Sequence, residues 1–145
     1  MISIIFMVIA YGSFEYYEAL KLREEALYKP LGISFVSDEL DKEEESVHIV
    51  GLQGNKVIAT VMLTPEEDGF KMRQVAVSSD LQRVGVGSQM IQFCESYAKS
   101  VGADSIYCHA IYTAVNFYTK NGYTSEGDYF EEVSLPHLKM KKVLN

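Results

Sequence analysis

Cysteine is scarce in this chain, with only Cys94 and Cys108 among 145 residues. Two are too few for a disulfide framework. Both sit in apolar surroundings, so they read as small buried hydrophobes in a reducing compartment. Positive charge is also in deficit, with 13 Lys and Arg against 20 Asp and Glu and a net charge of −7. That argues against general nucleic-acid binding, which needs a basic face. It is compatible with cationic substrates but speaks mainly to solubility. The apolar run Ile2 to Ala10 lacks a basic leader region and a small-residue cleavage site, and it is far too short to span a bilayer. It is expected as a buried strand of a cytoplasmic chain without a membrane partner. Internal repeats, low-complexity tracts and linkers are missing, and no clustering of His, Cys or carboxylates suggests a metal. What remains is 48% hydrophobic and 12% aromatic, an ordinary composition for one globular domain, 1–145, with a sizeable core.

The chain reads as alternating β and α segments. Residues 3–11 are rich in Ile, Val and Phe, as a first strand should be. Ser13 followed by Glu15 can start a helix. Tyr16, Tyr17, Leu20 and Leu27 give that helix, roughly 14–28, an apolar face, and Pro30 and Gly32 end it. Residues 33–46 form a loop with an acidic block, Asp38 to Glu45. The preferred reading is a solvated connector; the sharper one is a carboxylate rim that attracts an amine. Residues 47–52 and 57–63 make a hairpin through Gly54-Asn55. Residues 70–77 add a third antiparallel strand. A helix closed by Gly102 follows, then a strand over 105–110 and a short helix over 113–121 closed by Gly122. Late strands are expected at 123–125 and 138–143, with a loop over 127–136. The order β-α-β-β-β-α-β-α-β-β specifies an α/β fold with a mixed sheet.

The stretch Met72 to Ser88 organises this order. Val75, Ala76 and Val77 end a strand, Ser78, Ser79 and Asp80 turn the chain, and Gly85 and Gly87 open the next helix. A glycine-rich loop with Arg83 thus lies at a helix N-terminus just after a strand. The first amides of a helix lack internal partners and carry the positive end of the dipole. Glycine lets a ligand come close to that backbone, and Arg83 adds a cation. These features suit a phosphate, above all a pyrophosphate. A Walker loop fails because Ser88 and Gln89, not Lys and Ser or Thr, follow Gly87. A dinucleotide fingerprint fails because Met90 stands where a third small residue is needed. A bare helix start with glycines for tight packing is the bland alternative.

The remaining pattern, Gln82-Arg83-Val84-Gly85-Val86-Gly87 after a strand, resembles the acetyl-CoA loop of the GNAT N-acetyltransferases. A second segment, Ala114-Val115-Asn116-Phe117-Tyr118-Thr119-Lys120-Asn121-Gly122-Tyr123, resembles that family's Ala-x-x-Phe-Tyr-x-Lys-x-Gly-Phe/Tyr signature. The two motifs stand in the family's order. The tail Phe130 to Met140 is similar to a small bacterial branch of the superfamily. One position departs: the family often has Asn where Ile111 stands, and Asn116 is the nearby amide that would take up its contact.

The resemblance implies a GNAT-like acyl-CoA N-acyltransferase fold, a mostly antiparallel sheet whose central strands splay apart to admit acetyl-CoA. It places the pantetheine and acetyl carbonyl along Val75, Ala76 and Val77, and the pyrophosphate on Gln82, Arg83, Val84, Gly85, Val86, Gly87 and Ser88. Asn116, Tyr118 and Lys120 would line the CoA side of the second helix. It implies direct acetyl transfer from acetyl-CoA, without a metal, to a primary amine in a ternary complex. The partner is a small-molecule or peptide amine, and a second copy of the chain is left open. Such chemistry needs an amide donor for the oxyanion and an acid for the departing thiolate. Tyr118 matches the family's acid; the bland reading of Tyr118 is a packed aromatic. His109, at a strand end with a side chain that titrates near neutrality, is the candidate base. Glu131 and Glu132 are alternatives, and His137 after Pro136 is expected to fix a turn. A non-catalytic CoA-binding or sensing domain on the same fold is the main rival reading.

Overall fold

A computed structural model describes residues 3–31, 42–82 and 84–145. The first half of the acidic block, residues 38–41, and Arg83 lie outside the described residues. Seven strands form one sheet in the order β1-β2-β3-β4-β5-β7-β6. They are β1 (Ile5–Ile9), β2 (Val47–Gln53), β3 (Lys56–Glu66), β4 (Gly69–Val77), β5 (Ser105–Ile111), β6 (Thr124–Glu132) and β7 (Leu135–Val143). Every pairing is antiparallel except that of β4 with β5. The helices are α1 (Phe14–Arg23), α2 (Val86–Ser100) and α3 (Val115–Lys120). None of the described helices is long and apolar enough to cross a membrane.

Ser13 starts α1 as its spacing predicts, its hydroxyl accepting from the Tyr16 amide at 3.2 Å. The helix then widens into a π-helical segment, Glu24–Tyr28. Helix α2 carries its apolar stripe into the main core, where Met90, Ile91, Cys94 and Ala98 pack with Ile49, Val61 and Ile106. That stripe recurs every three to four residues, which is what a helix on a sheet must bury.

The two sheet faces carry different helices. Side chains of directly paired residues share a face. His48, Met62 and Arg73 form one such row, and the His48 ring packs against Tyr16 of α1 at 5.0 Å. Lys71, two residues from Arg73, pairs with Tyr107 and carries the same face onto β5. Tyr107, His109 and Ile111 therefore look toward the α1 side. Cys108 and Ala110 look the other way, into the core shared with α2 and Tyr118 of α3.

Three expectations are corrected. Strand β1 is not buried: it is an edge strand paired with β2 alone, and Ile5, Met7 and Val8 are exposed. In the described end of the acidic block Lys42, Glu44 and Glu45 are exposed, as a solvated connector would leave them, but Glu43 is not. Glu43 is buried and paired with buried Arg23 at 2.9 Å, and it also accepts from the Tyr16 hydroxyl at 2.9 Å. Burying a carboxylate requires such partners. The expected loop over 127–136 is instead the tip of a long β6–β7 hairpin, turned by two residues, Val133 and Ser134. Both have positive φ, 46° and 64°. Two-residue hairpins demand that conformation and usually meet it with Asn and Gly.

Candidate active site

Strands β4 and β5 touch only at their beginnings, through Gly69↔Ser105, Phe70↔Ile106 and Lys71↔Tyr107. The contact at Gly69 is so close that a Cβ there would lie 1.9 Å from the Ser105 carbonyl oxygen, so only glycine allows it. Beyond Lys71 the strands part. Strand β5 stays paired with β7 along its whole length, while β4 runs on to Val77 against β3. A cleft of about 780 Å³ occupies the opening.

On β4 the cleft meets a bulge. Thr60 pairs with Ala76 and Met62 with Arg73, so Val61 alone faces both Gln74 and Val75. Gln74 takes a left-handed backbone, φ 58°. A bulge disrupts the ladder locally and bends the strand, and such features recur beside active sites. The Gln74 side chain is held from across the cleft, where the Tyr28 hydroxyl donates to its Oε1 at 2.7 Å. The π-helical widening of α1 brings Tyr28 and Leu27 to this wall. Such bulges occur often at functional sites.

At the far end lies the start of α2. Gly85 is its N-cap, with φ 87° and no side-chain cap, so the first helical amides keep their donor capacity. Gly85, Gly87 and Ser88 border the cleft. The two glycines have different reasons to be there. Gly85 has open space around it but a backbone that side chains strain to adopt. At Gly87 a Cβ would crowd the Phe117 ring at 3.2 Å, so its absence lets α3 pack against α2.

Tyr118 is buried in α3, with its ring edge-on to Phe117 and Tyr123. Burial, with Cys108 beside it, pushes the Tyr118 phenol well above its ordinary value, so it holds its proton at neutral pH. The Cys108 thiol is pushed up to about 12, mainly by burial. It is a poor nucleophile there, since the thiolate is the reactive form.

His109 borders the same cleft from the opposite face of the sheet. Its Nδ1 lies 3.1 Å from Glu132 Oε1. His137 Nε2 lies 3.8 Å from Glu132 Oε2. The other His137 nitrogen, Nδ1, is 2.9 Å from the Leu135 carbonyl, which can only accept. His137 thus pins the start of β7, as expected of a turn-fixing residue, and also lines the cleft.

Of the residues proposed from sequence, Val75, Val77, Gln82, Gly85, Gly87, Ser88, His109 and Tyr118 border the cleft. Gln82 also donates its amide to the Val77 carbonyl at 3.1 Å. The Ala76 and Val86 side chains are buried in the sheet and helix core, and Val84 is exposed. Asn116 and Lys120 are exposed and off the lining. Ala114, Phe117 and Tyr118 occupy the helix face toward the cleft, and the periodicity of α3 turns residues 116 and 120 away. Glu132 lines the cleft and Glu131 does not. Sequence reasoning missed Leu27, Tyr28, Gln74, Phe117 and Val133. Only Phe117 lay inside a recognised motif.

A strand that parts from its parallel neighbour, a bulge beside the parting and an uncapped glycine-led helix at its end together shape this cleft. The sequence model of the acetyltransferase (GNAT) domain matches residues 20–144. The chain belongs to this family and is an acyltransferase. It is 31% identical over 138 residues to the uncharacterized N-acetyltransferase YjcF of Bacillus subtilis (strain 168), covering 93% of this chain and 97% of that one. The structure of an acyl-CoA N-acyltransferase from Pseudomonas aeruginosa superposes with a TM-score of 0.83 at 19% identity, over 97% of this chain and 99% of that one. A GNAT family acetyltransferase from Elizabethkingia anophelis, solved with acetyl-CoA bound, gives 0.77 at 14% identity, over 97% and 98%. At these identities the structural likeness concerns the fold.

Proposed function

We propose that residues 1–145 act as one N-acetyltransferase domain that moves the acetyl group of acetyl-CoA directly to a primary amine. The observation that carries this reading is the placement of Tyr118 and His109. They border one cleft from opposite faces of the sheet, at the point where β4 and β5 part. An acid and a base on either side of a thioester are what amine acetylation requires.

The pantetheine arm would lie along β4 as an added strand, on Val75 and Val77. The pyrophosphate would sit on the amides at Gly85 to Ser88. The bulge at Gln74 and Val75 supplies an amide donor for the carbonyl oxygen. With Nδ1 committed to Glu132, His109 keeps Nε2 to take a proton from the incoming ammonium. The freed amine forms the C–N bond, and the C=O pair moves to oxygen. As that pair returns, the C–S bond breaks and the thiolate takes the Tyr118 proton. The second proton lost from nitrogen restores the phenol. The products are an amide, CoA thiol and one proton, which leaves through His109. Cys108 has no covalent part in this sequence.

The test is a panel of primary amines assayed for CoA release, alongside thermal melting with acetyl-CoA, NAD and ATP. Acetyl-CoA is expected to raise Tm at concentrations above its Kd, as any ligand selective for the native state does, and NAD and ATP are not. Amine-dependent CoA release is expected with at least one amine. Tight binding without release would favour a CoA-sensing role.

A further inference from the structure

Resting on the acetyltransferase reading, we infer that Glu132 is the counter-charge of the acceptor, which enters on the α1 side as a primary ammonium on an apolar stem. Its carboxylate lies between two imidazoles, His109 at 3.1 Å and His137 at 3.8 Å. The Leu135 carbonyl takes the Nδ1 proton of His137, which leaves Nε2 as the ring nitrogen that faces Glu132 Oε2. The two atoms stand 3.8 Å apart, too far for a direct hydrogen bond. A nitrogen about 2.8 Å from each, an ordinary charge-assisted bond length, spans that gap. An ammonium has three donors and reaches both, and its proton passes to His109 Nε2 through water, since that nitrogen points away from Glu132.

Other contacts hold this arrangement in place. The Phe130 ring lies edge-on to His109 at 4.9 Å and within 6.2 Å of His137. Lys139, on the same face, is drawn away from Glu132. Its ammonium lies over the Tyr107 ring at 4.6 Å and pairs with Glu126 at 3.3 Å. Val133 holds φ 46°, a backbone that β-branched residues avoid. Strain of this kind persists where the surroundings over-determine a position, most often beside ligands. Here it fixes the residue next to Glu132. Leu27, Tyr28 and Val133 line the same cleft and suit a hydrocarbon stem, while Lys71 and Arg73 line it from β4.

The test uses the intact chain saturated with CoA, with butylammonium and phenethylammonium chloride as probes. Both are expected to raise the Tm of the wild-type CoA complex and to leave that of Glu132→Gln unmoved. In turnover with the best amine of the panel, Glu132→Gln should raise the amine KM 10- to 100-fold, the worth of one charge-assisted bond. The acetyl-CoA KM should stay unchanged, and Glu132→Asp should recover part of the loss. A wild-type complex that neither ammonium stabilises overturns the inference. So does a Glu132→Gln enzyme with the wild-type amine KM and a reduced kcat, which would leave Glu132 only positioning His109. If the probes bind through Glu132 but no amine is acetylated, the ammonium site stands and the proposed function falls.

Discussion

The two faces of the sheet are built by different means. On the α2 and α3 side, the parts that would hold an acyl-CoA come from two contiguous stretches, 75–88 and 113–118. On the α1 side, the parts that would handle an acceptor come from far apart: Tyr28 from the end of α1, Gln74 from β4, His109 from β5, Glu132 and His137 from the β6–β7 hairpin. Phosphates and a pantetheine arm need backbone amides, which a short loop and a helix start supply. An amine needs a side-chain charge and a base at one point, and distant strands converge there. The first face is therefore a local property of the chain and the second a tertiary one.

Breaking the tertiary face should have the largest effect. Arg23 and Glu43 are both about 1% exposed, and they tie the turn before β2 to the end of α1. Replacing Glu43 by Ala strands a buried guanidinium whose Nε and Nη2 have no hydrogen-bond partner among the described residues. Losing one partner of such a pair costs about 3–5 kcal/mol. Urea titration should show that loss as a lower midpoint. Near-wild-type stability would mean that Arg23 reaches water.

The local face should fail differently. Gly87→Val would push on the Phe117 ring, which already lies within 3.2 Å of where a Cβ would be. The added bulk should cost about 1–3 kcal/mol of stability. It should also weaken acetyl-CoA binding, while Gly85→Ala, with open space, should cost only about 1 kcal/mol of backbone strain. Titration calorimetry with acetyl-CoA separates the two variants. Equal affinities would make Gly87 a packing residue alone.

The smallest effect is a gain. Ser134 holds φ 64° in the hairpin turn, and glycine adopts that conformation without cost. Ser134→Gly should add up to about 1 kcal/mol, read as a higher Tm. A lower Tm would show that the Ser134 side chain has a role in the turn.

This comparison explains what could be read in advance. The strand order, the α2 stripe and the two motif loops were legible because each depends on local spacing. Tyr118 was legible because it lies within a motif, and His109 because it ends a strongly apolar strand. The β6 strand was not, since Thr124–Glu132 is polar and almost wholly exposed and its turn carries neither Asn nor Gly. Glu43 was hidden because a run of acids looks solvated, and nothing near it in sequence announces the partner 20 residues earlier on α1. Tyr28 and Gln74 were missed because a π-helical widening and a bulge are tertiary outcomes. No periodicity marks them.

In the proposed reaction acyl donor and amine meet through the parting of β4 and β5, so the acetyl group never rests on the protein. Initial rates measured while acetyl-CoA and the best amine are varied together test this most directly. Double-reciprocal plots should give lines that intersect, because both substrates must be bound before either product leaves. Cys108→Ala should retain the same pattern. Parallel lines, with acetyl recovered on Cys108 after incubation with acetyl-CoA alone, would contradict the claim and make the buried thiol a covalent carrier.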